Sequence, residues 1–168
     1  MTSILSIAAT LVVVGASVAP PARLPHRSAW SVGSARLTAA GCARCVQTES
    51  WASTTPYADP PNQLPPWHTL ARLQRRGILV HVTRSWEPSP PAWVYRKRPL
   101  EIERSAIHAN FEGNADGRVS LWSASTWRAG SYVTAWVFFG APVPAAADVA
   151  RAQAELDGTR FPTWHVQR

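Results

Sequence analysis

The chain has 168 residues, 46% apolar and 16% charged, a balance that excludes a disordered polymer and leaves room for one domain with a core. There are 17 Lys and Arg against 10 Asp and Glu, giving a net charge of +7. Every cation but Lys97 is Arg, a skew that codon composition produces as readily as selection for an acidic partner.

Residues 4–19, ILSIAATLVVVGASVA, carry no charge and read as a secretory signal peptide or a membrane anchor, with 1–22 as the segment so used. No Lys or Arg precedes the run, and Pro20 follows the Ser17-Val18-Ala19 site, so Val14-Gly15-Ala16 is the cleaner place to cut. The run is at the short end of the roughly 17 to 25 residues that span a membrane. If it is retained, Arg23 and Arg27 favour keeping their side cytoplasmic. The expected location is extracellular or membrane-anchored.

Residues 23–66 are rich in Pro, Ser, Thr and Ala and have no sustained periodicity. Two short extended pieces are expected there, 29–37 and 45–51, followed by a loop over 54–66. Next comes a globular unit over 67–160. Trp67, Leu70 and Leu73 recur at spacing three, and Arg75 and Arg76 precede Gly77, which predicts a helix over 67–76. Residues 78–86 alternate, with Ile78, Val80 and Val82 on one face and His81, Thr83 and Ser85 on the other, as a half-buried strand does.

A basic stretch over 95–99 leads into a third extended run, 100–111, whose apolar parity changes and so requires a bulge near 104–106. Asp116-Gly117 is a turn signal. Residues 118–126 and 132–139 form a hairpin closed at 128–131, where Gly130 can take positive φ. In the second arm Tyr132, Thr134, Trp136 and Phe138 alternate with Val133, Ala135, Val137 and Phe139. Neither face is polar, so this strand must be central or covered. Ala145, Val149, Ala152 and Leu156 then predict a helix over 145–157, and 161–168 is a tail. The expected fold is α+β: an antiparallel meander of three to four strands packed by two helices.

Cys42-Ala43-Arg44-Cys45 has the spacing of a dithiol redox centre or half a zinc site. It lacks a helical stripe after it and a second ligand pair, so a small structural disulfide between Cys42 and Cys45 is expected, with redox activity as the alternative. Glu101 and Glu103 share one side of an extended run, and with Arg98 and Arg104 as neighbours they read as a solvated face. His81 and His108 read as two partly exposed imidazoles. No glycine-rich phosphate loop and no nucleophile elbow occurs, and the residues point to no cofactor, no metal and no catalytic set.

One feature stands above background: Arg72, Arg75, Arg76, Arg84, Arg96, Lys97 and Arg98 are interleaved with Trp67, Trp86, Trp93 and Tyr95. Arg with indole surfaces holds phosphates, sugar rings and anionic head groups. The sequence thus favours a non-enzymatic, exported or tethered domain whose basic, Trp-bearing edge, with Trp86 and Trp93, meets an anionic polymer, lipid surface or protein. The alternatives are a Cys42/Cys45 thiol-disulfide protein, and a nucleic-acid binder if the chain is not exported.

Overall fold

A computed structural model describes residues 20–27, 29–37, 47–61, 63–85, 100–104 and 117–163. One antiparallel sheet organises them: β1 (Ser31–Leu37), β2 (Gln47–Ser53), β3 (Ile78–Ser85), β4 (Glu103–Arg104), β5 (Ser120–Arg128) and β6 (Ser131–Phe139). The spatial order is β1-β2-β3-β6-β5-β4, so two three-stranded meanders meet where β3 pairs with β6. The α+β class holds, but the expected three to four strands are one side of a six-stranded sheet, in which β3 pairs with β6 rather than with the next strand in the chain. The extra strands come from the low-periodicity pieces near 29–37 and 45–51, so the sheet runs across the boundary placed between residues 66 and 67.

The hairpin forms as its residues dictate. β5 and β6 are joined by Ala129 and Gly130, both at positive φ (50° and 79°), the two-residue connection whose twist matches antiparallel strands. The alternation in β6 sets two cores. Val133, Ala135, Val137 and Phe139 join Ile78, Val80 and Val82 of β3 in one buried cluster, and Phe138 joins Leu79 and Leu121 in another on the opposite face.

Each face carries a helix. α2 (Ala146–Asp157) seals the first with Ala152 and Leu156, helped by Ala22 and Leu24 from the N-terminal segment. α1 (Trp67–Arg72) seals one end of the second with Leu70, to which Leu73 adds. Full burial of each of these leucines stabilises by about 1.5–3 kcal/mol.

α2 starts one residue later than predicted, whereas α1 is four residues shorter and leaves Arg75 and Arg76 outside the helix. α1 stops at Arg72 because Leu73 turns to extended backbone and buries its side chain in the second core. The Arg118 guanidinium then donates to the Leu70 and Leu73 carbonyls at 2.9 and 3.4 Å, satisfying the helix end from outside. At the other end Pro66 offers no side-chain cap, and Asp59 does the work instead, accepting from the His68 and Thr69 amides at 2.8 Å each.

The expected strand over 100–111 is seen as β4 alone, and the bulge near 104–106 falls largely outside the described residues. So do the 4–19 segment, Cys42 and Cys45, Trp86, Trp93, Arg96, Lys97, Arg98 and His108. Among the described residues no helix is long and apolar enough to cross a membrane.

Candidate functional site

The cations gather at the end of the sheet where α1 hands over to β3. Arg72 closes α1, and Arg75 and Arg76 occupy the following turn, which Gly77 tightens by donating its amide to the Gln74 carbonyl at 2.7 Å. All three arginines are exposed. The fold adds two more. Arg118 reaches this place by capping α1, and Arg151 of α2 donates to the Arg76 carbonyl at 3.1 Å.

Among the described residues, Asp148 is the carboxylate in contact with this group. Asp148, in the first turn of α2, lies 3.4 Å from both Arg76 and Arg151. It is largely buried, whereas the Arg76 side chain is 75% exposed. Asp148 thereby orients two guanidinium groups, those of Arg76 and Arg151. With the arginines in solvent and only the carboxylate buried, the effect of these pairs is on field and orientation more than on stability. The Asp148–Arg151 spacing of three on a helix was legible as a charge pair; the approach of Arg118 and Arg76 is tertiary and was not.

Arg84 has a different place from the other predicted cations. It is fully buried in β3, and its guanidinium is spent within the protein. Nε donates to Ser131 Oγ at 2.9 Å, Nη1 to the Pro20 carbonyl, and Nη2 to the Pro162 and Ala129 carbonyls at 3.0 and 3.3 Å. Burial lowers its pKa. Its contacts tie the N-terminal segment, the hairpin turn and the C-terminal tail to one strand, and leave no exposed charge for a ligand.

The open question for chemistry is the imidazole of β3. His81 is fully buried rather than partly exposed, because Tyr57 and Trp51 cover it. Trp51 stacks on Tyr57 with ring centres 4.2 Å apart, and the Tyr57 ring is parallel to His81 at 6.3 Å. Trp51 can lie flat because its cross-strand neighbour is Gly33, where a Cβ would come within 2.7 Å of the indole Cε2. His81 Nε2 meets Glu49 Oε2 at 3.1 Å, while His81 Nδ1 and the Tyr57 hydroxyl are buried without a partner. Burial first, and then the charges of Glu49 and Asp59, push the Tyr57 hydroxyl pKa well above its ordinary value. With both members of the pair about 1% exposed, a substrate cannot reach them, and the cluster acts as a polar core.

Glu101 and Glu103 are both exposed, as a solvated face requires. Among the described residues no three His, Cys, Asp or Glu side chains gather so as to hold a metal ion. The chain matches no protein-family model, no curated protein and no solved structure.

Proposed function

We propose that the protein is a non-enzymatic binding domain, exported or tethered by its apolar 4–19 segment, that engages an anionic envelope component through the basic end of its sheet. The observation that carries this reading is the convergence of Arg72, Arg75, Arg76 and Arg151 around the α1–β3 turn, with Asp148 as the facing carboxylate among the described residues. A cluster with this excess of one sign raises the local concentration of anions and speeds encounter with them. Arg presents a planar fork suited to phosphate and carboxylate. Trp67, at the start of α1, and Trp86 and Trp93, beyond the described residues, are the indoles that belong to the same reading.

The test is co-sedimentation of the mature chain with vesicles rich in phosphatidylglycerol, with soluble polyphosphate as a parallel arm. Retention at low salt that falls as salt rises, and that Arg75→Glu with Arg76→Glu abolishes, is the expected result. Retention on neutral phosphatidylcholine vesicles to the same extent overturns the reading. Preference for a nucleic acid over both probes favours the nucleic-acid alternative.

A further inference from the structure

The arginine turn after α1 lies against an uncharged stretch from another part of the chain. Residues 141–147, Ala-Pro-Val-Pro-Ala-Ala-Ala, lead from the end of β6 into the first turn of α2 without a single polar side chain. Pro142, Val143, Ala145, Ala146 and Ala147 are exposed, and Val143 is 76% exposed. One valine in water is ordinary; an exposed apolar run of this length has a function or is a fault.

Both ends of the run are pinned at the arginine turn. Gly140, just before it, donates its amide to the Gly77 carbonyl at 3.0 Å and lies so close to the Gln74 carbonyl that no Cβ would fit between them. The Ala141 carbonyl accepts from the Ser120 hydroxyl at 2.7 Å. Asp148, just after the run, holds Arg76 and Arg151 at 3.4 Å each. The run therefore leaves and re-enters the fold beside Arg75 and Arg76, already ordered before any partner arrives.

Register shows which way it faces. Phe139 is opposite both Ile78 and Ser120, so β3, β5 and β6 all start or stop here, and the run stands at the end of the sheet rather than across a face. Its rim is basic, since Arg72, Arg75, Arg76 and Arg151 are exposed and Asp148 is buried. Glu101 is exposed too, but it belongs to the 100–102 stretch held by Gln153, about 10 Å further along α2 than Ala146.

We propose that this end is a membrane-docking surface: the 141–147 run enters the head-group layer of an anionic bilayer with Val143 foremost, and Arg72, Arg75, Arg76 and Arg151 hold lipid phosphates around it. The proposal rests on the anion-binding reading above and narrows its ligand to lipid. A soluble polyanion satisfies the arginines and leaves Val143 in water. A bilayer answers both, with phosphate at the surface and hydrocarbon a few ångströms deeper. Because the run is held at both ends, little conformational freedom is lost when it docks.

The experiment measures binding of the mature chain to vesicles rich in phosphatidylglycerol and, separately, to soluble polyphosphate, in the wild type, Val143→Ser, Val143→Leu, and Arg75→Glu with Arg76→Glu. Val143→Ser is expected to weaken vesicle binding about tenfold, the worth of burying one small aliphatic side chain, and Val143→Leu to strengthen it about fourfold, the worth of one methylene. Neither change alters charge, so polyphosphate binding should stay at the wild-type level, whereas the charge reversal should abolish binding to both probes. The proposal is overturned, and the anion-binding reading kept, if both Val143 variants bind vesicles as the wild type does while the charge reversal does not. It is also overturned if Val143→Ser weakens both probes alike. Vesicle binding that survives the charge reversal overturns the reading and the proposal together.

Discussion

His81 Nε2 on β3 lies 3.1 Å from Glu49 Oε2 on β2, in a place that water reaches for neither side chain. The pair is roofed by the Tyr57–Trp51 stack, so removing Glu49 leaves the His81 ring buried without its hydrogen-bond partner. Glu49→Ala should therefore cost about 2–4 kcal/mol, between the loss of a neutral buried hydrogen bond and that of a buried ion pair. Glu49→Leu with His81→Leu should cost less than the sum of the two single changes by at least about 1 kcal/mol. Urea unfolding followed by Trp fluorescence checks both; strict additivity would show that the two groups do not interact.

Asp59 predicts how stability responds to acid. Burial alone would raise its carboxyl pKa, but the Thr69 hydroxyl, at 2.5 Å, the His68 and Thr69 amides and the His68 ring together hold it below its ordinary value. A depressed folded-state pKa means that the stabilisation is complete above the unfolded value of about 4 and is lost as pH falls through the lower folded one. The wild type should lose stability below about pH 4 more steeply than Asp59→Asn, which should already be weaker by about 1–2 kcal/mol at neutral pH. Parallel acid profiles for the two proteins would contradict this.

Arg84 should prove a structural rather than a ligand-binding arginine. Arg84→Leu strands the Pro20, Ala129 and Pro162 carbonyls and the Ser131 hydroxyl, and Arg84→Lys cannot reach them all. Either change should destabilise by about 2–4 kcal/mol. Hydrogen exchange should quicken at Arg23 and Arg160, whose amides exchange hydrogen bonds at 2.9 Å beside this clasp. Unchanged exchange at those two amides would show that Arg84 does not hold the termini.

The β5–β6 turn is sequence that can be improved. Ala129 holds φ at 50°, where a Cβ costs about 1–2 kcal/mol. Ala129→Asn creates the Asn-Gly pair that this connection prefers, and should raise stability by about 0.5–1 kcal/mol. A lower melting temperature would mean that the turn is not of this type.

What could be read from the sequence, and what could not, divides along burial of polar groups. The two-faced alternation of β6 and the stripe Val149, Ala152, Leu156 are apolar patterns, and both elements stand where they were expected. β2 was faint because most of its buried positions are polar, Thr48, Glu49, Ser50 and Ser53 each being at most 1% exposed, and β1 because it buries only Leu37. An alternation of Ser, Thr and Glu with Ala carries no hydrophobic period, so only tertiary hydrogen bonds such as Ser50 Oγ to the Ala22 carbonyl reveal those residues as core. Arg72, Arg75 and Arg76 were visible as a cluster because they are neighbours in the chain. Arg118 and Arg151 belong to the same place only because the approach to β5 and the first half of α2 lie beside the end of α1 and the turn after it. Arg84, read with the surface cations, differs from them through burial that charge patterning cannot show.

The salt dependence of binding to phosphatidylglycerol vesicles tests the basic end most directly. For the wild type, the logarithm of affinity should fall linearly with the logarithm of salt concentration, with a slope set by the few arginines that touch anions. In Arg75→Glu with Arg76→Glu that slope should collapse along with the binding. A charge-reversed chain that keeps wild-type affinity and slope would contradict the assignment of these arginines to ligand.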